Sequence, residues 1–189
     1  MNTVYRLLAA TLLFLAPVLA RAQDTGDVFS DAANGSKVHT ASGFACPLQI
    51  GHFERDAVGE RDPQTGADFC AYSALDGVYG TITLVPLKGP YDPKSALVPD
   101  FVEQEGIGGK MIGEGMTKPG GTGASVYARS YETTSLADQH YRTLFAASAV
   151  GNWAVQVTME YATPRDDALE QEFLNAVYAE AMRKIVAAK

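Results

Sequence analysis

The segment from Trp153 to Tyr161 constrains the fold of this chain more than any other stretch of its sequence. In it every second residue is large and apolar, and the residues between them are Ala, Gln, Thr and Glu. Successive side chains of a β-strand point to opposite faces, so this alternation predicts a strand with one buried and one exposed face. The apolar face needs a covering layer, and we expect the last helix of the chain to supply it.

That last helix is predicted from a second periodicity. Apolar residues recur at every fourth position from Leu169 to Ile185, which is typical of a helix with one apolar stripe. Before the stripe, Thr163 is predicted as the N-cap, Pro164 as the first helical residue, and Asp166 lies in the first turn, where a carboxylate is favoured.

The remaining elements follow from local composition and turn residues. Asp76-Gly77 and Gly151-Asn152 indicate turns between strands, and Asp92-Pro93 is typical of a helix start. Strands are predicted at 49–58, 68–73, 78–85, 124–132 and 140–149, and a helix at 93–105. With the two elements above, the order is three strands, helix, three strands, helix. This order predicts a single α+β domain with an antiparallel sheet of about six strands covered by two helices.

A glycine-rich segment, Gly106–Gly123, separates the two halves. It contains neither a complete phosphate-binding loop motif nor a complete dinucleotide-binding glycine motif. We therefore predict a mobile crossing loop. The sequence leaves open whether that loop is a lid over a ligand or a plain connector.

The N-terminus is predicted to be a cleavable export signal spanning residues 1–22. Arg6 precedes an apolar run from Leu7 to Ala20, and the small-x-small triplet Ala20-Arg21-Ala22 follows it. We expect cleavage after Ala22, with Ala20 as the second choice; an uncleaved anchor or a buried helix is the alternative. The polar residues 23–42 are predicted to be a flexible lead-in, and residues 43–189 a single domain. The protein is then exported, to the periplasm or the medium.

Charge and hydropathy exclude two classes of partner. Cleavage removes Arg6 and Arg21 but no acidic residue, so the formal net charge falls by two, from −7 to −9. Nucleic-acid binding requires clustered Lys and Arg, which the sequence lacks, so no nucleic-acid partner is expected. No later stretch approaches the length of about 20 apolar residues that a membrane span requires.

Two cysteines, Cys46 and Cys70, are present in the whole chain. In an oxidising compartment an even pair is most simply a structural disulfide. Reactive thiols are the alternative, but the sequence has no Cys-x-x-Cys motif and neither cysteine has a neighbouring histidine.

The order of elements resembles that of the Mog1/PsbP-like family of α/β/α sandwiches. The resemblance rests on the early meander into VYGTITLVPL, on the hairpin YRTLFAASAVGNWAVQVTMEYA, and on the closing helix. It extends from Phe44 to Val186. Members of the family are mostly non-catalytic accessory subunits or small binding proteins, so the resemblance implies such a role here. It places no functional residue of the family on this sequence.

Metal-ligating residues are considered next. If 49–58 is one strand, His52, Glu54 and Asp56 point to the same face, and His140 could join them from another strand. Same-face neighbours on a strand are nearly 7 Å apart, however, which is too far for three of them to ligate one ion without a bulge. A solvated polar strand face is the favoured interpretation, and neither a metal nor a cofactor is predicted.

Hydrolytic chemistry has equally little support. The sequence has no Gly-x-Ser-x-Gly elbow, and His39 falls in the predicted lead-in.

We therefore predict an exported accessory or binding protein, more simply non-catalytic, with a protein or small-molecule partner in the periplasm. The alternative is a small periplasmic hydrolase or metal-dependent enzyme that uses His52 or His140.

Overall fold

The computed structural model describes residues 27–135 and 137–185, which form two antiparallel sheets. The small sheet has three strands: β1 (Phe29–Asp31), β2 (Lys37–His39) and β3 (Ala45–Cys46). The large sheet has eight: β4 (Gln49–Ile50), β5 (Phe53–Asp62), β6 (Ala67–Ala74), β7 (Val78–Pro86), β8 (Lys110–Thr117), β9 (Val126–Thr134), β10 (His140–Val150) and β11 (Trp153–Ala162). The helices are α1 (Pro93–Ala96), α2 (Val98–Gly106) and α3 (Asp167–Lys184), with short 3₁₀ turns at Leu75–Gly77 and Pro119–Gly121.

The large sheet has the order β4-β5-β6-β7-β11-β10-β9-β8. The prediction of about six strands covered by two helices is therefore wrong. The predicted strand 49–58 is divided by a turn at Gly51-His52 into β4 and β5, and the predicted loop 106–123 contains β8. A third difference is the separate small sheet, which precedes all of these strands.

Helix α3 packs across one face of the sheet, as its apolar stripe predicted. Phe173 lies at the centre of this contact, with its ring centroid 4.7 Å from that of Phe53 and 5.7 Å from that of Tyr72. A Cβ on Gly80 would lie 2.7 Å from the Phe173 ring, so only glycine permits so close an approach. On β11, Val157 and its same-face neighbours are buried beneath the helix, which confirms the alternating strand.

The start of α3 differs from its prediction. Asp166, not Thr163, is the N-cap, and its carboxylate accepts a hydrogen bond of 2.9 Å from the Leu169 N–H. Thr163 instead donates its N–H to the His140 carbonyl at 2.9 Å, which continues the pairing of β11 with β10 beyond the last strand residue. Pro164 therefore lies before α3, which begins at Asp167.

Helices α1 and α2 cover part of the opposite face. Asp92 caps α1 by accepting from two backbone N–H groups, as predicted. Phe101 of α2 packs on Tyr127, Tyr131 and Phe145, with ring centroids 5.9–6.3 Å apart. Tyr127 and Tyr131 of β9 and Phe145 of β10 therefore form a second core with Phe101.

The small sheet is attached to the large one at the β4–β6 side. Cys46 of β3 and Cys70 of β6 form the disulfide, with Cα atoms 6.3 Å apart and both side chains fully buried. Phe29 and His39 are buried as well. Within the lead-in predicted to be flexible over 23–42, residues 29–31 and 37–39 are paired as β1 and β2, and Phe29, Ser36 and His39 are buried. The predicted signal, residues 1–22, lies outside the described residues.

Candidate functional site

A groove opens where the sheet extends beyond α3, at the end formed by β8, β9 and β10. Its cavity volume is about 420 Å³. We call it the α3–β8 groove. Strand residues form its floor, the first half of α3 forms one wall, and Glu132 and Arg165 lie at its rim. Its other lining residues are Ile112, Gly113, Glu114, Gly115, Met116, Thr117, Ala128, Ser130, Arg142, Leu144, Glu170, Gln171 and Leu174.

The groove is open at its β8 side because two positions of its floor, Gly113 and Gly115, have no side chains. Gly115 is paired with Ala128 across β8 and β9, and Gly113 is paired with Ser130. A Cβ built on either glycine would meet no atom within 4 Å. Neither glycine has a positive φ, so backbone conformation does not require glycine at these positions. The missing side chains therefore leave open space beside α3.

A buried ion pair closes one end of the groove. Arg142 of β10 donates from Nε to Oε1 of Glu170 on α3 at 2.5 Å, and from Nη2 to the Ser130 hydroxyl at 3.1 Å. Tyr161 donates its hydroxyl proton to the same Glu170 oxygen at 2.7 Å. The exposed fractions of Arg142 and Glu170 are 3% and 5%. Two donors thus share one carboxylate oxygen, which fixes the position of α3 over the sheet.

The pKa values of Tyr161 and Arg142 are both raised in this network. Burial raises the pKa of Tyr161 to about 12, so the phenol keeps its proton and remains a donor. Burial alone would lower the pKa of Arg142, but the hydrogen bond and charge of Glu170 outweigh it and raise that pKa. The pair is therefore ionised and mutually neutralised. No described residue accepts a hydrogen bond from Nη1 of Arg142, which leaves this donor available at the groove end.

The metal candidates proposed from sequence do not converge. His52 lies in the turn before β5, is 82% exposed, and contacts Glu172 of α3 at 3.0 Å. Asp56 accepts a hydrogen bond from Ser73, at a β-bulge that interrupts the alternation assumed for this strand. Glu54 is exposed on β5. Within 27–135 and 137–185, no group of three His, Cys, Asp or Glu side chains is placed to hold a metal ion.

The two histidines of the enzyme alternative are also far apart. His140 begins β10 and its Nδ1 is 3.1 Å from the Thr134 hydroxyl, whereas His52 precedes β5. Strands β5 and β10 are separated by four steps in the sheet, which is about 19 Å at the usual strand spacing. Both histidines are exposed, but of the two only His140 lines a cavity, one of about 540 Å³ that it shares with Tyr79 and Tyr141, so the two share no cleft in which they could act together.

Sequence reasoning missed a Ser–His–Asp chain that runs from the β2–β3 turn of the small sheet to β6 of the large sheet. His39 lies 2.7 Å from the Ser42 hydroxyl through Nδ1 and 2.8 Å from Asp68 through Nε2. This composition is that of a hydrolase triad, but only 4% of Ser42 and 1% of His39 are exposed. The His39 ring is covered by Phe29 and by an edge contact with Trp153. No substrate can reach the serine, so the chain is a structural connection between the sheets.

Nδ1 of His39 also accepts from the Ser42 backbone N–H at 3.2 Å. An acceptor at Nδ1 requires the ring proton to be on Nε2, where it is donated to Asp68. No sequence signal indicates this arrangement, because His39 and Asp68 are 29 residues apart. The α3–β8 groove had a weak signal, namely two glycines at alternate positions between residues that otherwise suit a strand.

Comparisons with known proteins add little to this geometry. No family model matches the chain. A comparison with curated proteins gives no match. Among solved structures, the chain is similar to LpqN, a protein involved in cell envelope biogenesis of Mycobacterium tuberculosis. The two are 15% identical with a TM-score of 0.41, and the match covers 70% of this chain and 83% of LpqN. A likeness at that level transfers no function.

These comparisons do not bear on the Mog1/PsbP-like resemblance, which stays a prediction. In the part of the chain that the structure describes, no helix is long and apolar enough to cross a membrane.

Proposed function

We propose that this chain is an exported, non-catalytic binding protein that holds its partner in the α3–β8 groove. The observation that carries the proposal is the bare floor of the groove at Gly113 and Gly115. Glycine inside a strand costs about 0.5–1 kcal/mol relative to alanine and often marks a place where a ligand or another backbone approaches closely. Here two such positions face the same open space beside α3.

The chemistry of the groove favours binding over catalysis. The Glu170 carboxylate accepts from Arg142 and Tyr161, and the Ser130 hydroxyl accepts from Arg142. A general base must be free to take a proton from a nucleophile, and Glu170 is already committed to two donors. The apolar residues Leu144 and Leu174, together with a few fixed polar groups, are the usual composition of a binding site.

Export is supported by the disulfide and by the predicted signal. Disulfides such as Cys46–Cys70 persist in oxidising compartments and are rare in the cytosol. The sequence of residues 1–22 has the three parts of an export signal. We propose that the protein meets its partner outside the cytoplasm.

Native mass spectrometry of the protein purified gently from its own extracytoplasmic fraction tests the proposal. We expect a bound mass on the wild-type protein that is absent from a Gly115→Leu variant, because the leucine side chain fills the groove. Gly89→Leu is the matched control: Gly89 also has open space around it and no positive φ, but it lies in the loop between β7 and α1. A bound mass that survives Gly115→Leu, or a bare wild-type protein, would contradict the proposal.

A further inference from the structure

Strand β8 forms an open edge of the large sheet beside the α3–β8 groove. It pairs with β9 on one side, and no described strand pairs with its other side. Its residues from Lys110 to Met116 are all exposed. An edge strand of this length presents a row of backbone N–H and C=O groups to solvent. The partner that matches such a row along its whole length is another extended backbone.

The groove face of β8 also specifies what the side chains of that partner must be. A strand added beside β8 would have side chains opposite Gly113 and Gly115, with Cβ atoms about 4.5–5.5 Å from those positions. Because both glycines face open space, bulky side chains at alternate positions of the added strand would lie over them and enter the groove. Covering an edge glycine with a large cross-strand side chain is a recognised way to stabilise such a strand.

The opposite face of β8 is compatible with the same partner. Met111 and Met116 are paired with Tyr131 and Tyr127, so they lie on the α2 side of the sheet, where they are 54% and 61% exposed. Methionine side chains are flexible and polarisable, and they adapt to varied apolar partners. Glu114, between them, is already held by Arg129 and Lys94 and does not hinder an approaching strand.

We infer that β8 takes up an extended segment of a partner polypeptide as a ninth strand, whose bulky apolar side chains enter the α3–β8 groove at alternate positions. The inference rests on the proposed function and names the class of partner. It accounts for the coincidence of a long unpaired edge and a glycine floor at the same end of the sheet.

A second copy of this chain fits less well. Antiparallel pairing of β8 with its own copy would bring the same two glycines to the groove face, and the open space would remain unfilled. Without residues 1–22 each copy also has a formal net charge of −9, from 13 basic and 22 acidic residues, so two copies repel one another, whereas a segment with Lys or Arg at its ends is attracted. We therefore assign the edge to a different, cationic and apolar, segment.

A synthetic peptide of about nine residues is long enough to span β8 and tests this inference. The probe has Lys at each end, alternating Thr and Phe between, and blocked termini. Amide hydrogen exchange of the purified protein, followed by NMR, is the main measurement. Strand addition predicts slower exchange at every second amide within Lys110–Thr117, because only alternate amides point to the open edge.

Two control peptides and two variants separate the contribution of backbone pairing from that of the side chains that enter the groove. A peptide that is N-methylated at the alternate residues whose amides would face β8 cannot pair with the edge and should not bind. A peptide with Gly in place of Phe, tested on the wild-type protein, should bind at least about tenfold more weakly, which is about 1.4 kcal/mol. A Gly113→Val variant should weaken the Phe peptide by a similar factor, and Gly89→Val should not change its affinity.

The outcomes distinguish this inference from the function on which it rests. If the Phe peptide binds and slows alternate β8 amides, the inference holds. If it does not bind, or binds without slowing those amides, strand addition is overturned. Strand addition is likewise overturned if the bound mass found by native mass spectrometry belongs to a small molecule. In each of these failures, a bound mass that Gly115→Leu removes would still support the groove as the binding site.

Discussion

The two ends of the large sheet are built in opposite ways. At one end the edge strand β4 has only two residues, and its Ile50 is buried against α3 and the small sheet. At the other end β8 has eight residues and is exposed along almost its whole length. Short or covered edges are the usual protection against unwanted pairing. The β4 end has that protection, and the β8 end has instead two charged residues, Lys110 and Glu114, and a bulge at Ile112.

One row of residues across the α3 face of the sheet shows how the covered end gives way to the open end. From the open edge inward, the row consists of Gly115, Ala128, Ala146, Val157 and Ile82, each paired with the next across neighbouring strands. Side-chain volume rises along the row towards the part that α3 covers. A single sheet thus provides a packed core at one end and an empty floor at the other. The packed core and the proposed binding site are therefore at different ends of the sheet.

The largest expected difference between the two ends is in how far removal of a side chain lowers the free energy of unfolding. Phe173→Ala removes a fully buried ring at the covered end and should lower the free energy of unfolding by about 4 kcal/mol. Met116→Ala, at the open end, should change it by no more than about 0.5 kcal/mol. Urea denaturation measures both. Similar costs for the two variants would mean that the ends do not differ as described.

The disulfide should have the next largest effect. It closes a loop with a sequence separation of 24, so replacing both Cys46 and Cys70 with Ala should cost about 3.5 kcal/mol on the chain-entropy model. Guanidinium denaturation of the double variant and of chemically reduced wild-type protein should agree. An unchanged denaturation midpoint would show that the small sheet is not held by this bond.

The buried His39 connection should contribute less. His39→Ala leaves the Asp68 carboxylate without its buried donor and should cost about 2 kcal/mol. Asp68→Asn keeps an acceptor for the Nε2 proton and should cost less than His39→Ala. Thermal and urea unfolding provide the comparison. The opposite ranking would contradict this account, because it would show that the Asp68 charge matters more than the hydrogen bond that Asn can keep.

The smallest effect concerns Glu114 at the open end. Hydrogen bonds from Lys94, Arg129 and Tyr127 lower the pKa of Glu114 to about 2. Its contribution to stability is therefore present above the ordinary pKa of 4.5 and is lost as the pH falls through about 2. An NMR titration should give a midpoint near 2 in the wild-type protein and a higher midpoint in Lys94→Met. A wild-type midpoint near the ordinary value would exclude the network.

The covered end was the easier part to predict from sequence. The alternation of β11 and the four-residue period of α3 each reflect one buried face, and both elements are found where those patterns indicated. Strand β8 was missed because its groove face has no side chains at Gly113 and Gly115, so hydrophobic alternation cannot reveal it. The same absence of side chains that creates the groove removes the sequence signal for the strand.

The small sheet was missed for a different reason. Its strands have two or three residues each, which is too short for any periodicity to appear. Its burial depends on distant partners: His39 on Asp68 and Trp153, and Cys46 on Cys70. Of these contacts only the disulfide was predictable, because cysteine has one usual partner in an oxidising compartment.

The most direct test of binding at the open end is amide hydrogen exchange, measured by mass spectrometry, of the protein as isolated and after its ligand is removed by unfolding and refolding. We expect removal of the ligand to speed exchange in residues 110–132 and 165–174, which include most of the residues that line the groove, and to leave residues 27–50 unchanged. Faster exchange in 27–50 and 176–185 instead would place the ligand in the cavity of about 330 Å³ between the small sheet and α3, and would contradict the proposed site.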